Sequence, residues 1–174
     1  LHYGGACERD KQFEKASRVF MAGIEKHPDA HVMRNYLAYM WAERAEKLDE
    51  ALGHIGHALE LEPENAAYID TLGWIYYQQK RYPEALEQLQ KAVELFDDDP
   101  VLHDHLGDVL DKLGKTGEAR GHWKSSFMAD PQNESVQKKL EHLGVDTKAL
   151  AREAEKVKRQ KEEARDEGND GATE

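Results

Sequence analysis

The sequence predicts an all-α fold: an α-solenoid of antiparallel helix–turn–helix repeats, closed by a C-terminal capping helix. Three observations carry this. Short motifs recur every 34 or 35 residues, each recurrence contains two stretches of helical apolar periodicity, and proline or aspartate closes each unit at the same phase. The expected boundaries are four repeats over 1–131 (a partial one at 1–30, then 31–65, 66–99 and 100–131), a capping helix at 132–145, a charged helical extension at 146–165 and a disordered tail at 166–174.

The period is read from paired positions. Leu72-Gly73 and Leu106-Gly107 are 34 residues apart, as are Ala51, Ala85 and Ala119 in succession, and Ala16 precedes Ala51 by 35. Pro28, Pro63 and Pro131 end three of the units, with Asp97 at the equivalent place in the remaining one. The small residues have a mechanical reason: Gly73 and Gly107 on the first helix, and Ala85 and Ala119 on the second, remove bulk where the two helices meet. Phe20, Ile55, Leu89 and Trp123, each four residues after an alanine, fill the space beside that contact.

In the third repeat, Ala67, Ile69, Leu72, Ile75 and Tyr76 form the apolar stripe of a first helix. A turn follows at Lys80-Arg81, and Tyr82, Ala85, Leu86, Leu89, Ala92 and Val93 form the stripe of the second. Asp99 is placed to cap the next helix, with Pro100 in the first turn, where a missing amide hydrogen costs nothing. The second repeat carries one extra residue in its turn, between Arg44 and Leu48, and has Ala38 where the others have glycine. Gly23 and Ser126 occupy positions that hold alanine in the other repeats. The first repeat has Tyr3-Gly4 at the Leu-Gly place, almost at the start of the chain, so the chain reads as the C-terminal part of a longer array. After Pro131, Val136, Leu140 and Leu143 fall on one face of a capping helix that Gly144 ends. From Thr147 to Arg165 the chain is a charged helix with acid–base pairs one turn apart; Leu150, Ala154 and Val157 form a stripe along it, and the residues beyond are too polar to pack.

Composition narrows the function classes. The chain has 174 residues, 39% hydrophobic and 34% charged, with a net charge of −11. An acidic chain repels phosphate backbones, which argues against nucleic-acid binding and suits a basic partner. A single cysteine, Cys7, excludes an internal disulfide, and no apolar stretch is long enough to span a bilayer.

A 34-residue helix–turn–helix with Leu-Gly, an aromatic, alanine, a further aromatic or aliphatic residue and a closing proline resembles the tetratricopeptide repeat (TPR) family. The resemblance covers residues 1–131 and implies a right-handed superhelix in which the first helix of each repeat lines a concave groove that takes protein segments. Carried over position by position, it puts Asn35, Tyr39 and Glu43 from the second repeat, Asp70, Trp74, Tyr77 and Gln78 from the third, and Asp104, Asp108 and Asp111 from the fourth in that groove. The groove is expected to be aromatic in its middle and acidic toward its C-terminal end, and so to hold a Lys- or Arg-bearing protein segment, with an apolar or cationic side chain anchored on Trp74 or Tyr77. Family members that grip the C-terminal carboxylate of chaperones present Lys, Asn and Arg at groove places. Here those places hold Asn35, Asp70 and Asp104, with Thr71 and His105 beside them; only the asparagine is chemically related, and a carboxylate would meet acid.

Nine histidines raise a metal hypothesis, and His54–His57 and His105–Asp108 have one-turn spacing. A structural site wants four ligands, so no metal or other cofactor is expected. No phosphate loop, HExxH run or activated nucleophile is present, and no enzymatic activity is expected. The alternative to an interaction scaffold is a self-assembling module, a homo-oligomer stacked through the first repeat or the tail helix. The run "NYLAYMWAER…LDEAL…ALELEPENAAYIDTLGWIYY" is similar to the C-terminal repeats of large bacterial members of the family, some of them envelope lipoproteins that act as adaptors. This implies a bacterial source and favours the cell envelope over the cytoplasm.

Overall fold

A computed structural model describes the backbone of residues 2–170 and the side chains of residues 12–164. Among these residues there are helices and turns and no strand: α1 (His2–Lys26), α2 (His31–Glu43), α3 (Leu48–Leu61), α4 (Ala66–Gln78), α5 (Tyr82–Leu95), α6 (Pro100–Lys112), α7 (Thr116–Ala129), α8 (Glu134–His142) and α9 (Thr147–Asp170). They fall into two compact units, Leu1–Asp97 and Asp98–Glu174, and each is described by itself.

In the first unit, α2 pairs with α3 and α4 with α5, and α4 also lies against α2 and α3. Its core includes Leu37, Ala38, Trp41, Ala51, Ile55, Ala58, Tyr68, Trp74 and Ile75, all buried. The small-residue logic of the sequence is visible at α4. A β-carbon on Gly73 would lie 2.7 Å from Leu89 Cγ, so glycine is what lets α5 approach. The turns follow one design. Arg81 N–H donates to Tyr76 C=O at 2.9 Å across Lys80, and Glu46 N–H donates to Trp41 C=O at 2.9 Å across Ala45, so the chain reverses through a left-handed residue. The extra residue of the second repeat is absorbed here: the α2–α3 turn runs over 44–47 and contains a second left-handed residue, Lys47 (φ 48°).

The first repeat differs from a broken hairpin. The backbone of α1 is a single helix from His2 to Lys26, with no turn between the Tyr3-Gly4 place and Phe13. The segment Cys7–Phe13 has no Pro or Gly and is rich in Glu, Arg, Lys and Gln, which favour continuation of a helix. Cys7 lies outside the residues whose side chains are described.

In the second unit, α6 pairs with α7, and α8 and α9 pack on α7. Leu102, Leu106, Val109, Leu110, Ala119, Trp123, Phe127, Val136, Leu140 and Ala154 are buried. Asp99 caps α6, accepting from Val101 N–H at 2.8 Å, with Pro100 in the first turn. Gly107 makes the α6–α7 contact possible, since a β-carbon there would meet Trp123 Nε1 at 2.5 Å. Asn133 caps α8 by accepting from Ser135 and Val136 N–H. Gly144 (φ 72°) ends it, with Val145 N–H donating to Leu140 C=O at 3.0 Å. The cap is anchored by Val136 and Leu140, both fully buried, each worth about 1.5–3 kcal/mol relative to exposure. In α9 the expected stripe is graded: Ala154 is buried, Leu150 half-buried and Val157 exposed. Its backbone is helical through Asp170, which takes in the start of the tail expected to be disordered; 171–174 lie outside the described residues. No helix among the described residues is long and apolar enough to cross a membrane.

Candidate functional site

Two clusters contain the residues that the sequence singles out, one in each unit. In the first unit, α2 presents Asn35, Tyr39 and Glu43 at one-turn spacing, and α4 presents Asp70, Trp74, Tyr77 and Gln78. The helices are joined by a hydrogen bond in which Trp74 Nε1 donates to Glu43 Oε1 at 2.7 Å. Tyr77 stacks on Trp74 with ring centres 4.5 Å apart and planes 5° apart. The indole is only 8% exposed, so Trp74 serves as a wall beneath Tyr77 while Tyr77 and Gln78 remain half-buried. Asp70 is buried at 4% exposure, whereas Glu43 is exposed. Asn35 is half-buried, and its carboxamide oxygen is shielded from solvent without a hydrogen-bond donor. A shielded acceptor with no partner is costly, by about 1–3 kcal/mol.

In the second unit, Asp104 and Asp108 stand one turn apart on α6. What lies against them comes from another helix. Lys139 of α8 donates to Asp104 Oδ1 at 2.6 Å and to Asp108 Oδ1 at 2.5 Å. Its ammonium also lies 5.5 Å from the centre of the Trp123 ring, and Trp123 Nε1 donates to Asp108 at 3.0 Å. Burial pushes the Asp108 carboxyl above its ordinary range, and Asp104 adds to this, while Lys139 and the indole oppose it. Asp111 is exposed, and its carboxylate accepts from the Thr116 hydroxyl at 3.4 Å. A signal for Lys139 was present in the period: Asn35, Asp70, Asp104 and Lys139 are successive positions at intervals of 35, 34 and 35. The capping helix therefore continues the register of the first helices and sets a cation where they carry polar or acidic groups.

The histidines divide by neighbour. His54 Nδ1 is 3.2 Å from Arg34, and burial, then Arg34, lowers its pKa. His57 is paired with Glu60 at 3.4 Å. A pair not evident in the sequence joins α6 to α7: His103 Nδ1 and His122 Nδ1 are 3.0 Å apart with stacked rings, and burial, then His103, lowers the His122 pKa. His105 is buried on α6. Among the described residues no group of three or more His, Cys, Asp or Glu side chains is placed to hold a metal ion.

Comparison with known proteins gives these features a context. A family model described as TPR repeat matches residues 73–114. The TPR repeat-containing protein PA4667 of Pseudomonas aeruginosa is 32% identical over 80% of this chain, and the TPR repeat-containing protein MJ1428 of Methanocaldococcus jannaschii is 30% identical over 70% of it. The chain spans less than a quarter of the length of these relatives, 23% and 21%. Among solved structures, MamA superposes with a TM-score of 0.62 at 18% identity, covering 91% of this chain and 94% of MamA. The first TPR of Spaghetti (RPAP3), bound to the HSP90 peptide SRMEEVD, superposes with a TM-score of 0.59 at 19% identity, covering 70% of this chain and 93% of that one.

Proposed function

Because the chain belongs to the tetratricopeptide-repeat family, whose members are interaction modules, we propose that it is a protein-binding scaffold whose first unit holds a basic segment of a partner across the faces of α2 and α4. The observation that carries this reading is the Trp74 indole, which holds the exposed Glu43 carboxylate of α2 by a hydrogen bond and stacks on the half-buried Tyr77 of α4. Glu43 is exposed and commits one oxygen to Trp74, which holds the carboxylate in place and leaves the other oxygen for a cation. Tyr77, braced by Trp74, offers a ring to an aliphatic or cationic side chain. The HSP90 peptide in the RPAP3 structure is acidic; the exposed Glu43 carboxylate at the end of α2 favours a side chain of the opposite sign in this chain's partner.

The test is fluorescence anisotropy with two labelled synthetic peptides of equal length, one alternating lysine with leucine and one alternating glutamate with leucine. The lysine peptide is expected to bind and the glutamate peptide not to. Glu43→Lys should weaken binding about tenfold, the effect of losing one charge-assisted contact. Equal binding of both peptides, or indifference to Glu43→Lys, would refute the reading.

A further inference from the structure

The acidic pair of the second unit is already occupied, and its occupant defines what fits there. A single ammonium, from Lys139, bridges Asp104 and Asp108 and rests against Trp123. A compact cation with rotatable donors suits two carboxylate oxygens presented by one helix face; a planar guanidinium is matched instead to both oxygens of one carboxylate. We propose that Asp104, Asp108 and Trp123 form a lysine socket for an amphipathic, lysine-bearing segment of a partner protein, and that α8 is a displaceable internal occupant of this socket.

Three features make α8 exchangeable. It has nine residues, too few to be a stable helix by itself. Only Val136 and Leu140 among its side chains are buried. The third feature is the charge balance of the socket. Removing Lys139 without replacement leaves two carboxylates side by side, one of them desolvated, whereas replacing it with another ammonium leaves both neutralised. The socket requires a cation but does not specify which chain provides it. Tethering gives α8 the advantage of high effective concentration, so it competes with any external segment and keeps the socket closed to weak binders. The proposal shares with the preceding section only the sign of the partner's charge. It concerns α6–α8, so its failure leaves the α2–α4 reading standing.

The probe is a fluorescein-labelled peptide with the chain's own cap sequence, Gln132–Val145, made also in a Lys139→Gln form. The protein is the full chain, as wild type, as Lys139→Gln, and as Lys139→Gln combined with Asp104→Asn and Asp108→Asn, each checked for folding by circular dichroism. The lysine peptide should bind Lys139→Gln at least about tenfold more tightly than wild type, the effect of freeing one charge-assisted contact. The glutamine peptide should lose this gain, and so should the triple variant. If Lys139→Gln does not fold, Lys139→Arg retains the charge, seats it poorly and should give a smaller gain of several-fold. Equal affinity for wild type and the folded Lys139 variant, or a gain that survives loss of the peptide's Lys139 or of the two aspartates, overturns the proposal. Wild type should sediment as a monomer. A dimer abolished by Asp104→Asn and Asp108→Asn would assign the socket to a second copy, and would equally overturn it.

Discussion

Gly107 and Ser126 are two single-residue departures from average packing whose effects on stability have opposite signs. Alanine at 107 improves helix propensity by about 1 kcal/mol but forces its methyl into the Trp123 indole, an overpacking cost of about 1–3 kcal/mol. It also displaces the indole from its hydrogen bond with Asp108. Ser126 is fully buried, and its hydroxyl has no partner, at the place where the second and third repeats carry the buried Ala58 and Ala92. Removing an unpaired buried hydroxyl restores about 1–3 kcal/mol. Thermal denaturation should therefore show Gly107→Ala lowering the melting temperature and Ser126→Ala raising it. The steric role of Gly107 was legible in the sequence, because glycine and alanine recur in register. Ser126 was legible as a departure, though its unpaired hydroxyl was not, since that depends on what surrounds it in three dimensions.

At the scale of the elements, helix stops and caps were the most legible features. Asp99, Pro100 and Gly144 act through the local backbone, and a local signal needs no knowledge of the fold. The contacts between helices were less so. Lys139 on Asp104 and Asp108, and His103 on His122, depend on which side chains two helices bring face to face. The continuity of α1 is a local feature too: the later repeats turn between their two helices, and at the equivalent place of the first the sequence offers no breaker. The His103–His122 contact makes the α6–α7 hairpin sensitive to pH. Burial holds the folded pKa of His122 below 6.5, the ordinary histidine value, and does the same for His54 in the first unit. A base with a depressed folded pKa contributes stability that is present above its unfolded pKa and is lost as pH falls from there toward the folded pKa. The melting temperature should fall as pH drops below about 6.5, and His122→Gln should reduce that slope. A melting temperature that rises on acidification through this range would contradict the assignment.

At the scale of the whole molecule, the repeats serve mainly to present faces. Within each unit the paired helices bury small residues where they meet, Gly73 and Ala85 in the first and Gly107 and Ala119 in the second. The fold class could be read from period and punctuation because both are set by packing, which repeats. The site could be read only as a set of positions. Of those positions, Asp70 and Trp74 prove to be buried, Asp104 and Asp108 are engaged by Lys139, Asn35 is half-buried with its oxygen shielded, Tyr39, Tyr77 and Gln78 are half-buried, and Glu43 and Asp111 are exposed. The measurement that tests the central claim most directly is backbone NMR of the isotope-labelled chain titrated with the lysine–leucine peptide. The largest amide and side-chain shifts are expected on Tyr39, Glu43, Tyr77 and Gln78, with the Trp74 indole proton, bonded to Glu43, moving with them. Shifts confined to α3 and α5, with Glu43 and the Trp74 indole unmoved at saturation, would contradict it.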